Sequence, residues 1–170
     1  RQKIVGRKTV AGVVAEIEKR AEGRLRPCFE RAGVAYPPAS FVLIGLKEEK
    51  QLELWAGDEN RSIFVRSYPI LAASGKAGPK LWEGDRQVPE GIYAICALNP
   101  NSSYHLSLKL DYPNAFDRQH AAEEGRTDPG GEIFLHGGNL SIGCLAMGDE
   151  AIEEIFLLAV KVGISNIRVI

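Results

Sequence analysis

At 170 residues, with 45% hydrophobic and 25% charged side chains, the chain has the size and composition of one ordinary globular domain with an ample core. Twenty-one Lys and Arg against 22 Asp and Glu leave a formal charge of −1. No basic stripe is interleaved with aromatics, which argues against nucleic acid as a partner. The longest apolar runs fall far short of the roughly 20 residues that a spanning helix needs, so no membrane span is expected in this chain.

The first element in chain order is helical. Val10, Val13, Val14, Ile17 and Ala21 recur at three- and four-residue steps, Glu16, Glu18, Lys19 and Arg20 take the other side, and Thr9 is placed to cap. Gly23 and Pro27 interrupt this pattern, so a second short helix or a loop is expected to end at Gly33. Residues 1–40 are read as a helical segment packed on a domain of residues 41–170. The chain begins at Arg1, from which a processed or truncated N-terminus is expected.

FVLIGLK (41–47) and LELWAG (52–57), joined by a charged EEKQ, predict a hairpin, and SIFVRSYPILAAS (62–74) a longer, bent strand completing a meander. Residues 75–91 form a Gly-, Pro- and Lys-rich loop, longer than most internal connections and therefore expected to border a site. Trp82 is a candidate cover for that site, whereas Lys76 and Lys80 are read as solvated. Strands follow at 91–98 and 104–110, then an acidic, glycine-containing surface excursion at 111–131 that carries a solvated His120. A strand ending at His136, a helix over 149–162 with Ile152, Ile155, Phe156 and Ala159 on one face, and a strand at 165–170 close the chain. Strands outnumber helices, and the expected fold is mainly β with flanking helices, as a sandwich or strongly curved mixed sheet.

The chemistry concentrates in EIFLHGGNLSIGCLAM (132–147), where His136 and Cys144 stand eight residues apart with Gly137, Gly138 and Gly143 between them. A thiol just ahead of an apolar helical pattern would be activated by a neighbouring imidazole and by the helix start, giving a lowered pKa. The N–H groups of Gly143 and Cys144 would be free to face an oxyanion. The plainer alternative is a buried cysteine and a hydrogen-bonded strand-end histidine. His105 alternates with Ser103 and Ser107, away from Tyr104 and Leu106, and is read either as a cleft residue or as an exposed strand histidine. The odd count of three cysteines leaves Cys28 and Cys96 either paired or reduced. With three histidines and no CxxC or HxxxH, a metal site is disfavoured and no cofactor is expected.

Several of these stretches, in this order, resemble the L,D-transpeptidase catalytic domain of bacterial cell-wall enzymes. His136-Gly137 resembles the family's histidine-glycine at a strand end, Ser141-Ile142-Gly143-Cys144 its Ser/Thr-His-Gly-Cys signature, and Val88 to Tyr93 its Thr-Pro-x-Gly-aromatic turn. Residues 98–118 resemble the branch of murein transpeptidase-like proteins that hydrolyse as well as transfer. Two departures stand out: Ile142 replaces the signature's own histidine, and the loop between His136 and Cys144 is shorter than in the commonest members.

The resemblance implies Cys144 as nucleophile, His136 as general base, the Gly137 carbonyl as its orienter and the Gly143 backbone as oxyanion donor. It further implies substrate contacts from His105, Tyr112, Arg118 and Ser141, although for Arg118 an ordinary surface salt bridge is an alternative. The implied substrate is a peptidoglycan stem peptide cut after its third residue, the location the periplasm or cell envelope, and a wall-linked lipoprotein a further candidate partner. Transfer to an amine, hydrolysis by the same fold as a carboxypeptidase or amidase, and a non-catalytic wall-binding module are the readings that follow.

Overall fold

A computed structural model describes residues 6–58 and 60–170. Residues 1–5 of the expected N-terminal segment lie outside this range.

Helix α1 runs unbroken over Val10–Ala32. Its start is capped by Thr9, whose hydroxyl accepts the Gly12 N–H at 3.0 Å, and it ends at Gly33 in the left-handed region with φ 66°. The expected break at Gly23 and Pro27 does not occur. Both residues are exposed, so the Gly23 carbonyl, which loses its partner because Pro27 has no N–H, faces water. Meanwhile the buried stripe Val13, Ile17, Ala21, Leu25 and Phe29 continues through the interruption. Packing of that stripe outweighs one lost hydrogen bond on the wet side.

Strands β1 (Ser40–Leu46), β2 (Gln51–Asp58) and β3 (Arg61–Pro69) form the expected antiparallel meander. Strand β8 (Ile167–Val169) adds to β1 in parallel, giving the order β3-β2-β1-β8. The expected long third strand stops at Pro69, since proline cannot donate to a continuing ladder. The chain then crosses to the other sheet, where Ala72 bridges Ala146.

The second sheet has the order β4-β5-β6-β7. Strands β4 (Ile95–Ser102), β5 (His105–Leu110) and β6 (Phe134–His136) are antiparallel neighbours, and β7 (Leu145–Ala146) joins β6 in parallel. Between β5 and β6 the expected surface excursion contains a helix, α2 (Ala115–Glu123), started by a reciprocal capping box between Asn114 and Asp117.

Helix α3 (Asp149–Val162) is buried nearly all round from Ile152 to Ala159. It packs against α1 and β5, and its two buried carboxylates are met by cations. Glu153 pairs with Arg20 at 2.7 Å, and Glu154 with Arg24 at 2.9 Å and Arg66 at 3.0 Å. A buried carboxylate is tolerated only when paired and hydrogen-bonded, and both are. Among the described residues, two mixed sheets and three α-helices thus make up a mainly β fold with flanking helices.

Candidate active site

Strand pairing assembles the site. Within β6, alternation puts Phe134 and His136 on one face. Across the sheet, Ser107 of β5 pairs with His136. On the other side Leu135 pairs with Leu145, so Cys144, one residue earlier, falls level with Phe134 and on the face that carries His136. Ser107, His136, Ser141 and Cys144 accordingly line one cavity of about 590 Å³.

His136 is buried, and its Nδ1 lies 2.6 Å from the Gly137 carbonyl. A carbonyl only accepts, so Nδ1 carries the proton and Nε2 is left as the acceptor. Glycine is required at position 137: a Cβ would lie 2.5 Å from the Tyr104 carbonyl and 2.7 Å from an Asp149 carboxylate oxygen. The turn that follows is held to α3, with the Gly138 N–H donating to Asp149 at 2.9 Å. Tyr104 stacks on the imidazole, ring centroids 4.5 Å apart.

Cys144 does not sit at a helix start. The chain continues from it into β7, and α3 begins only at Asp149. Its thiol is pushed up rather than down: burial is the main cause and the Glu132 carboxylate adds to it, against the Phe134 backbone and the charge of Lys80. The resting group is therefore a thiol that needs a base. The expected free oxyanion donors are also engaged. Gly143, at φ 81°, donates its N–H to Ser74 Oγ at 2.5 Å, and Cys144 donates its N–H to Ser141 Oγ at 3.0 Å. Ser141 in turn donates to the Cys144 carbonyl.

Three proposed substrate residues lie off this cavity. His105 departs from strand alternation because its φ is 72°, the centre of a tight turn closed by Leu106 N–H to the Tyr104 carbonyl at 3.0 Å. Its ring is turned to Glu153, Nε2 to Oε1 2.8 Å, which brings Tyr104 to the cavity in its place. Tyr112 is buried and donates to the Pro129 carbonyl at 2.7 Å. Arg118 donates to the Pro113 carbonyl. Trp82 is exposed and not on the cavity.

The sequence assigned no site role to four residues near the site. Tyr104 and Ser107 are brought in by strand register. Ser74 reaches across from the crossover after β3. Lys80, expected to be solvated, is 8% exposed and paired with Asp85 at 2.6 Å. Only the glycine-rich loop hinted at Ser74 and Lys80. Cys28 and Cys96 are free thiols, bonded to separate carbonyls, those of Arg24 and Leu110.

Residues 39–168 match the family model of the L,D-transpeptidase catalytic domain. The chain belongs to that family. It is 38% identical over 112 residues to the protein named "Putative L,D-transpeptidase YafK" of Escherichia coli (strain K12), an alignment covering 65% of this chain and 43% of that protein. Among solved structures, the helical cell shape determining protein Pgp2 of Campylobacter jejuni superposes with a TM-score of 0.61 at 24% identity, over 77% of this chain and 46% of its own. Bd1075 of Bdellovibrio bacteriovorus gives 0.54 at 22% identity, over 78% and 52%. The fold is shared with both. This chain spans less than half the length of the curated relative it matches.

Proposed function

We propose that this chain carries out cysteine-dependent acyl transfer on peptidoglycan stem peptides, as an L,D-transpeptidase working through a thioacyl-enzyme in the cell envelope. In this reading residues 41–170 are the catalytic domain and residues 1–40 a helical segment docked on it. The observation that carries the reading is the His136 Nδ1 to Gly137 carbonyl bond of 2.6 Å, which in the neutral ring makes Nε2 the acceptor, in the same cavity as Cys144.

The steps follow from that tautomer. Nε2 takes the thiol proton as Sγ bonds to the peptide carbonyl carbon, and charge gathers on the carbonyl oxygen. The Cys144 N–H, held by a Ser141 hydroxyl that lines the cavity, becomes a donor to that oxygen once the hydroxyl rotates away. As the carbon–nitrogen bond breaks, His136 returns the proton to the leaving amine, and a thioester remains. An amine attacking the thioester gives a crosslink, and water gives a shortened peptide. Ser141 and Gly143 are assigned to the oxyanion region. His105, Tyr112 and Arg118 are assigned to more distant substrate contacts, acting through the segments they hold.

Incubating the protein with a purified stem tetrapeptide, with and without an amine acceptor, and weighing the products tests substrate and fate together. A crosslinked product with amine supports transfer, whereas peptide shortened in both cases makes the protein a carboxypeptidase. Release of a wall-linked lipoprotein from sacculi would point to the amidase form. Cys144→Ala must abolish every product, and no product from the wild-type protein would leave a wall-binding module.

A further inference from the structure

Among the described residues, the cavity around Cys144 and His136 is lined without a single Asp, Glu, Lys or Arg. A stem peptide is rich in carboxylates, so a cleft that binds one has to meet those charges beyond its own walls. One end opens that way. Asn101 and Ser102, which border the cavity, also border a second recess of about 450 Å³ whose lining includes Arg7, Lys8 and His105 and, among the described residues, no acidic one.

The cations of this recess are held in place by the backbone. The Lys8 N–H donates to Asn101 Oδ1 at 2.8 Å, and Asn101 Nδ2 donates back to the Lys8 carbonyl at 2.8 Å. This two-way clamp ties the segment before α1 to the rim of the cleft without using the lysine side chain. Lys8 Nζ lies 3.3 Å from Glu16, with both side chains about half exposed at 47% and 50%. Such a pair is weak and exchanges readily for another carboxylate. Arg7 is exposed and makes no hydrogen bond or ion pair among the described residues. His105 completes the wall, its Nε2 engaged by Glu153.

We propose that the recess bounded by Arg7, Lys8 and His105 is a carboxylate subsite for the peptide whose scissile carbonyl is presented to Cys144. This rests on the wall-peptide reading above and extends the binding groove from the catalytic cleft across Asn101 to the segment before α1. Arg7 supplies a planar pair of donors and Lys8 a point charge, so the recess takes a carboxylate and rejects its amide. Docking of the ligand's charged end fixes the distance from that end to the bond placed over Cys144.

The test uses the full-length protein carrying Cys144→Ala, which binds without turnover, and two probes: a stem tetrapeptide with free carboxylates and the same peptide with them amidated. Binding is measured by titration calorimetry with and without the further change of Arg7 and Lys8 to Ala. The expected result is a loss of roughly tenfold for the free acid, the scale of one charge-assisted contact at a partly exposed site, with the amidated peptide changed less than about twofold. Lys19→Ala, which removes an exposed cation on α1, should leave both affinities alone. Equal losses for the two peptides, or no loss for the acid, overturn the subsite while leaving the wall-peptide reading standing. If the Cys144→Ala protein binds neither peptide, the wall-peptide reading falls and the subsite with it.

Discussion

Ser74 Oγ accepts the Gly143 N–H at 2.5 Å and donates its own proton to the Arg86 carbonyl at 2.6 Å. One hydroxyl thus joins three segments: the crossover after β3, the glycine-rich loop, and the loop that ends in the nucleophile. Neither Ser74 nor Gly143 lines the cavity, so this bond holds the Gly143 amide in the resting site and anchors the Cys144 loop from behind. Ser74→Ala should leave that N–H without its acceptor and loosen the loop. Amide exchange in residues 139–144 should accelerate about tenfold, with turnover falling more than KM changes, and Ser74→Thr should restore both. Unchanged exchange in the alanine variant would show that the anchor lies elsewhere.

The half-buried Cys144 thiol is pushed above the ordinary thiol range, with burial as the leading cause. The thiolate is the nucleophile, so iodoacetamide should label Cys144 slowly at neutral pH and progressively faster as the pH rises past the usual thiol value. Exposed Cys96 should be labelled first at pH 7. Peptide-mapped labelling against pH separates the sites. A Cys144 that outpaces Cys96 at neutral pH would mean a preformed thiolate, the state the sequence alone suggested. With the thiol protonated at rest, His136 serves as a base for attack and not as the partner of a standing ion pair.

What could be read from the sequence was what is local in it. The β1–β2 hairpin, α3 and the strand to His136 are periodic runs bounded by turn residues, and His136, Gly137 and Cys144 sit within nine residues of one another. The misreadings have specific causes. Pro27 looked like a stop because its exposure inside a buried helix pattern is a tertiary fact. Helix α2 was signalled by Asn114 three residues before Asp117, but its single buried residue, Ala121, leaves no apolar stripe to read. The exchange of His105 for Tyr104 at the cleft comes from one left-handed φ angle at a non-glycine residue, which alternation cannot foresee. Ser74 and Gly143 are 69 positions apart and meet only once both loops are folded.

General acid–base catalysis by His136 predicts a loss of roughly two to four decades in kcat/KM for His136→Ala. Ile142, which occupies the place of the signature's own histidine, is 74% exposed at the cavity mouth and has no proton to give. Ile142→Ala should therefore change KM by less than about tenfold and leave kcat nearly alone, as lost apolar contact does. Steady-state kinetics of the two variants decide the matter. Comparable losses in kcat would mean that position 142 shapes the reacting geometry.

Acid stability should depend on the Glu153 cluster. Burial opposes its charge, but bonds from Arg20 and His105 outweigh that and bring the carboxyl down to about 2 from an ordinary 4.5. A folded-state pKa below the unfolded one contributes stability that is complete above the unfolded value and is lost as pH falls from about 4.5 through about 2. For this residue the contribution is on the order of 3 kcal/mol. Asp85 acts in the same direction over a narrower window, 3.8 to about 2, since Lys80 and the Gln87, Leu81 and Trp82 amides outweigh its burial. Glu153→Gln should lower stability at neutral pH and flatten the acid limb of a denaturation curve measured between pH 5 and pH 2. An acid limb identical to that of the wild type would assign acid sensitivity to other carboxylates.

Adjacent glycines 137 and 138 should respond differently to alanine. At Gly137 the added methyl would meet the Tyr104 carbonyl at 2.5 Å, Asp149 at 2.7 Å and Ile152 at 3.1 Å, and the first of these is backbone already fixed in the turn around His105. Something must shift, and the carbonyl that orients His136 is part of what shifts. A cost of about 2–3 kcal/mol is expected from overpacking at such a point, lowering Tm by roughly 5–10 °C, together with the loss of most activity. At Gly138 the nearest atom is the Tyr104 ring at 3.5 Å, so only the positive φ of 69° is penalised. That strain is worth about 1 kcal/mol, and activity should largely survive. Thermal melts and turnover of the two variants, side by side, check the contrast. If Gly138→Ala is the more damaging, then the turn's conformation matters more to the site than the close approach of the Tyr104 carbonyl.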